Sequence, residues 1–192
     1  KIPAPRYRPQ DKSRYLGTMS VGVTKDPDSD WVNWGTYRGM IHDADSMGVL
    51  LYPFGHGGLI MKRHHDQDRP MEYAQFYGGD PLYHLLSGSG VDYAVSEAAV
   101  AGGIRGEPVQ LTKCKTVDLY VPANAELVLE GTITPGDLLP EGPFGEFPGY
   151  VVTGEVEREV LRISAVTYRE NPILPVSIFG APISDSPQLG IE

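Results

Sequence analysis

The chain has 192 residues, 41% hydrophobic and 21% charged, long enough to bury a real core as one domain or slightly more. Its net charge of −9 argues against nucleic acid or an anionic membrane as partner, since phosphate binding needs concentrated lysine and arginine. Glycine (23) and proline (17) are abundant, which favours short strands and turns over a helical bundle. No apolar run approaches the roughly 20 residues of a membrane span. With no signal peptide visible and Cys114 as the single cysteine, a reducing cytoplasm is expected.

Residues 1–15 are polar, with three prolines, and read as an extended lead-in segment. Residues 16–24 alternate well enough for a strand, and 25–30 (KDPDSD) form a turn. Residues 31–42 then read as a second strand, making a hairpin with the first. A further turn at 43–48 leads to a short buried strand at 49–53. Residues 59–68 have helical character, apolar first and charged at the end, with His64 and His65 expected on the solvated surface. A strand follows at 71–77, and Asp80 is placed to cap a short helix over 81–86. Ser87-Gly-Ser-Gly90 reads as a flexible break, and 94–102 as a helix with a glycine stop. Beyond this the chain turns to β structure: 108–121, 125–133, 160–169 and 173–179 are β-branched with partial alternation. Hairpin-joined strands with two or three inserted helices predict a mainly antiparallel barrel with little helix.

The most constrained stretch is 141–150, EGPFGEFPGY. Pro143 removes a backbone donor, and Gly142 and Gly145 permit conformations that side chains forbid, so Glu141 and Glu146 are held five positions apart. Two carboxylates fixed near each other can have their pKa values pushed apart, one donating a proton while the other stays ionised. As a local pattern the stretch is equally a tight turn bearing two solvated acids. Phe144, Phe147 and Tyr150 suit core and pocket wall alike. Asn33, His56 and Glu97 offer an amide oxygen, an imidazole nitrogen and a carboxylate, a set that suits Mn²⁺ or Mg²⁺ also holding a ligand phosphate. Their spacings match no local metal motif. Singly, each has a plainer role as turn asparagine, loop histidine or helix-surface glutamate.

In combination and in order, several blocks carry a resemblance. These are Asn33-Trp-Gly-Thr-Tyr-Arg38, Met40-Ile-His-Asp43, His56, Val95-Ser-Glu97, Ala101-Gly-Gly and Gly106-Glu-Pro-Val109. They continue with Val121-Pro-Ala-Asn-Ala-Glu126-Leu-Val-Leu-Glu130-Gly131, Glu141-Gly-Pro-Phe-Gly-Glu146, Tyr168-Arg169 and Pro172-Ile-Leu-Pro175. From about Thr18 to Pro175 the chain resembles the UbiD family of decarboxylases, which use prenylated FMN. Gly55 and the glycines of 87–90 depart from the usual pattern.

The resemblance implies a mainly β fold with short helices, a split β-barrel of the flavin-reductase (FMN-binding) type over 16–183. Residues 184–192 would begin a linker to a C-terminal domain. It implies reversible, non-oxidative decarboxylation of an aromatic, heteroaromatic or α,β-unsaturated carboxylic acid. Asn33, His56 and Glu97 match the ligands of a divalent metal, usually Mn²⁺, that bridges to the cofactor phosphate. Arg38, Glu141 and Glu146 match the active-site arginine and two loop acids, with Glu146 as proton donor and acceptor. Trp34, Ser87, Ser89 and Glu97 match a backbone K⁺ site, and Thr18, Thr36, Tyr37 and Arg38 match cofactor-contacting positions. A flavin prenyltransferase would supply the cofactor, and a homo-oligomer is implied. Two other classes stay open: a non-catalytic flavin-binding module or assembly subunit, and a metal-dependent phosphate-ester hydrolase, which would ordinarily gather more carboxylates.

Overall fold

A computed structural model describes residues 2–146 and 150–178. Ten strands and three helices follow in the order β1 (Tyr15–Leu16), β2 (Val21–Lys25), β3 (Val32–Gly35), β4 (Gly39–Ile41), β5 (Ser46–Val49), α1 (His56–Asp66), β6 (Met71–Tyr77), α2 (Pro81–Gly88), α3 (Glu97–Arg105), β7 (Leu111–Lys113), β8 (Tyr120–Pro122), β9 (Leu127–Glu141) and β10 (Val156–Tyr168). Eight strands form one antiparallel sheet ordered β1-β4-β5-β10-β9-β6-β2-β3, and β7 pairs only with β8.

The sheet separates two apolar layers because strand side chains alternate between faces. On β6, Met71, Tyr73 and Tyr77 join α1's Ile60 and Met61 on one side. Ala74 and Phe76 join Trp34, α2's Tyr83, α3's Ala101 and Val121 of the small hairpin on the other. Both faces of β6 are thus covered, and all of its residues but Glu72 are buried.

Between strand edges the sheet is open, which corrects the expectation of a closed barrel: β1 and β3 end the order and do not pair. Yet β3 ends at Gly35 and β4, beside the opposite edge, begins at Gly39. Four Cα steps of about 3.8 Å reach no further than about 15 Å. The sheet must therefore curl until its two edges nearly meet, and Thr36-Tyr37-Arg38 crosses the seam.

Both edges are blunted rather than left as bare ladders. The outward N–H groups of Trp34 and Thr36, alternate residues leaving β3, donate to the Glu97 carboxylate (2.7 Å) and the Ser87 carbonyl (3.2 Å). At the other edge Tyr15 N donates to Pro5 O at 2.9 Å.

Several elements differ from expectation. The run 31–42 is two strands because the chain crosses the seam at 36–38, and 16–24 is likewise split into β1 and β2. The turn at 43–48 yields early to β5, while 50–53 forms no strand. Helix α1 starts three residues sooner than read, at His56 itself, and α3 runs from Glu97 to a left-handed Gly106 cap (φ +73°). Ser87 and Gly88 finish α2 instead of breaking the chain, and the Asp80 cap forms as expected, accepting from Leu82 N. Residues 108–121 hold only β7 and the start of β8, whereas β9 continues eight residues past 133. No strand forms over 173–178. His64 is buried, its Nε2 3.0 Å from Lys25 O, because it shares the inward helix face with Gly57, Ile60 and Met61.

Candidate active site at the sheet seam

Arg38 follows Tyr37 at the seam, and its backbone is pinned by Leu50 N donating to its carbonyl at 3.2 Å. Its guanidinium meets two carboxylates from the far end of the chain. Nε and Nη2 donate side-on to Glu141 at 3.0 and 2.9 Å, and Nη1 donates to Glu146. Burial works against the Arg38 charge, but the bonds and fields of Glu141 and then Glu146 outweigh it, raising its pKa. Glu141 is buried and Glu146 more open, with side-chain exposures of 3% and 20%. Arg38 thus holds both carboxylates at once. Two anions on one guanidinium leave the triplet net negative, and the bidentate partner is the firmer of the two.

Phe144 braces the triplet: the Arg38 guanidinium lies 4.8 Å from its ring centroid, and Tyr15 packs on it at 4.4 Å. Phe144 is therefore core, while Tyr150 is exposed and Phe147 lies outside the described residues. Gly142 adopts φ +87°, and a Cβ there would sit 2.9 Å from Gly154 O, so the loop needs glycine at that point.

The lead-in segment holds this loop in place, which sequence reasoning missed. Asp11, fully buried, accepts from Arg8 N at 2.9 Å and from Gly145 N at 3.0 Å. Lys12 N donates to Pro143 O at 3.2 Å, and the Arg8 side chain lies over Gly145. Nothing in the pattern of 1–15 distinguishes Asp11 from a solvated acid.

The three expected metal ligands sit on elements that meet beside the seam. Asn33, on β3, is buried, and its Nδ2 donates to Thr24 Oγ1 and Tyr37 Oη, both at 3.2 Å. Tyr37 Oη also accepts from Gly57 N at 3.1 Å, tying β3 to the start of α1, where His56 stands. The His56 ring packs edge-on against Trp31 (5.2 Å between centroids) and Tyr93 (5.9 Å). Trp31 Nε1 in turn donates to Val95 O, two residues before Glu97. Glu97 is buried, with no cationic partner among the described residues, and burial raises its carboxyl pKa despite the Trp34 N–H. A buried carboxylate without a cation is costly. Glu97 with an amide and an imidazole nearby is a donor set that a divalent cation would satisfy, so the residues fit such a metal.

The remaining expected residues are placed as follows. Thr36 Oγ1 and Ser87 Oγ lie 2.9 Å apart, and Ser89 Oγ donates to Leu86 O. Thr18 is buried, its Oγ1 2.6 Å from Tyr7 Oη and accepting from Ser177 N at 3.2 Å. Among the described residues no group of three or more His, Cys, Asp or Glu is placed to hold a metal ion. Burial, then the charge of Glu130, pushes the Cys114 thiol up to about 12, so it is no nucleophile at neutral pH.

Residues 1–182 match the profile of the 3-octaprenyl-4-hydroxybenzoate carboxy-lyase Rift-related domain, UbiD. The chain belongs to the UbiD family. Pyrrole-2-carboxylic acid decarboxylase of Pseudomonas aeruginosa is 34% identical over 182 residues, 95% of this chain and 37% of that protein. Ferulic acid decarboxylase 1 of Saccharomyces cerevisiae is 34% identical over 188 residues, 92% of this chain and 36% of that protein. An evolved dimeric form of the UbiD-class enzyme HmfF from Pelotomaculum thermopropionicum, in complex with prFMN, superposes with a TM-score of 0.90 at 33% identity, covering 98% of this chain and 43% of that one. This UbiD chain thus spans little more than a third of the length of the curated relatives it matches. No helix among its described residues is long and apolar enough to cross a membrane.

Proposed function

We propose that this chain is the flavin- and metal-binding part of a decarboxylase acting on an aromatic, heteroaromatic or α,β-unsaturated carboxylic acid, in a reversible, non-oxidative reaction. The observation that carries the reading is the Glu141–Arg38–Glu146 triplet, assembled beside the strand that bears Asn33. Asn33, His56 and Glu97 would hold Mn²⁺ or Mg²⁺, which would anchor the phosphate of prenylated FMN. Carbonyls of Trp34, Ser87 and Ser89 would hold K⁺. Thr18, Thr36 and Tyr37 would line the flavin side. The curled sheet with its seam supports the split-barrel reading, with 16–183 as the binding domain. A flavin prenyltransferase would supply the cofactor, and family architecture supports an oligomer.

Prenylated FMN, when bound, supplies the electron sink for carbon–carbon bond cleavage. The protein's share is to orient the carboxylate and manage one proton. Arg38 fixes both acids, and Glu141 stays bound to it in the interior. Glu146, at the more open end, delivers a proton to the carbon that CO₂ leaves and regains one from solvent. In the reverse direction the same carboxylate takes the proton away.

Glu146→Gln is expected to abolish decarboxylation while the protein keeps its visible flavin spectrum. His56→Ala is expected to lose metal and flavin together. Turnover by the Gln variant, assayed as CO₂ release, refutes the role of Glu146. A second reading is a flavin-binding module or assembly subunit without chemistry of its own. Decarboxylation by the chain supplied with prenylated FMN rules that reading out.

A further inference from the structure

Tyr37 stands where the ligand-bearing elements join, and its surroundings are built around it. A Cβ on Gly35 or on Gly57 would lie 2.3 Å from its phenol oxygen, and one on Gly22 would lie 2.6 Å from its ring. Three glycines from β2, β3 and α1 therefore form a slot that admits this ring and no side chain of their own. The Tyr37 carbonyl is fixed as well, accepting from Gln75 Nε2 at 3.0 Å, and Gln75 is itself fully buried. Backbone and ring are thus held at both ends.

The hydroxyl then performs two tasks. It accepts from Asn33 Nδ2 and from Gly57 N, at 3.2 and 3.1 Å. Thr24 Oγ1, also fully buried, accepts from the same Asn33 Nδ2. With both amide protons committed to hydroxyl oxygens, Asn33 Oδ1 is the atom left over, and it has no hydrogen-bond partner among the described residues. The Gly57 contact sets the first turn of α1, and with it the residue before, His56.

We propose that Tyr37, assisted by Thr24, is a positioning residue for the cation site: one hydroxyl orients the Asn33 amide with its oxygen toward the metal and holds the His56-bearing turn at matching distance. This rests on the metal reading of Asn33, His56 and Glu97 given above. Partners that orient metal ligands typically change metal affinity by about 10–100-fold when removed.

The test is Mn²⁺ binding, followed by electron paramagnetic resonance on the chain supplied with FMN, at a temperature where every variant is folded by circular dichroism. Tyr37→Phe keeps the ring in its slot and removes only the hydroxyl; it is expected to weaken Mn²⁺ binding by about 10–100-fold and to broaden the Mn²⁺ spectrum. Thr24→Val is expected to weaken it by about tenfold, and it carries the test alone if Tyr37→Phe does not fold. Wild-type Mn²⁺ affinity in a folded Tyr37→Phe protein, whatever its melting temperature, overturns the proposal and leaves the metal reading standing. Absence of Mn²⁺ binding by the wild-type chain overturns both.

Discussion

Arg38 is the only cation facing Glu141 and Glu146 in their ion pairs among the described residues, and it is itself largely buried. Replacing it by alanine leaves the Glu141 carboxylate in the interior without its partner, which costs about 3–5 kcal/mol. Urea denaturation is expected to show that loss, and adding Glu141→Gln to Arg38→Ala is expected to recover more than half of it. Equal stabilities of the single and double variants refute the view that an orphaned charge is the cause. At this scale the sequence was uneven. Glu141, Glu146 and Arg38 could be picked out because they fall within matched blocks, while their spacing alone left a solvated turn open. His64 could have been placed inside from the i, i+3, i+4, i+7 row Gly57, Ile60, Met61, His64, but its charged neighbours hid that row. Asp11 had no local signal, since its partner Gly145 N is 134 positions away.

Among the elements, the connection between β3 and β4 decides the architecture. Gly35 and Gly39 were its only local cues, and a strand read straight through them because the break is imposed by the curl of the sheet and not by backbone preference. Two strands buried along most of their length, β6 and the first half of β9, were found nearly in place. The lead-in segment belongs with these structural elements, since Asp11 clamps the 141–146 loop. Asp11→Ala is expected to strand the N–H groups of Arg8 and Gly145 and cost about 1–3 kcal/mol. It is also expected to lower turnover by more than tenfold, as a loosened loop misplaces Glu146 (about 100-fold for a 1 Å error). An unchanged kcat with lowered stability confines Asp11 to a structural role.

Over the whole molecule, three histidines on separate elements share one electrostatic bias. Burial lowers the pKa of His42, His65 and His84 below the ordinary 6.5, against the opposing fields of Asp43 and Glu141 at His42 and of Glu159 at His65. Below 6.5 the unfolded chain binds protons at these sites that the folded protein refuses, so their contribution to stability is present above that pH and lost as it falls. Glu97 acts in the opposite sense, since its raised pKa makes the folded state take up a proton first on acidification. With three histidines against one carboxyl, the urea midpoint is expected to be lower at about pH 5.5 than at about pH 7.5. A flat or rising midpoint on acidification contradicts this, and His42→Gln is expected to reduce the slope.

Arg38 precedes Glu141 by 103 positions and Glu146 by 108. At a synthesis rate of about 5–20 residues per second, a ribosome takes on the order of 5–20 seconds to make the stretch between them. For that interval the guanidinium is already made while both of its anions are still untranslated. Until residue 146 has been made, the Arg38 guanidinium is therefore without either of its ion-pair partners, and the triplet proposed to manage the proton cannot assemble.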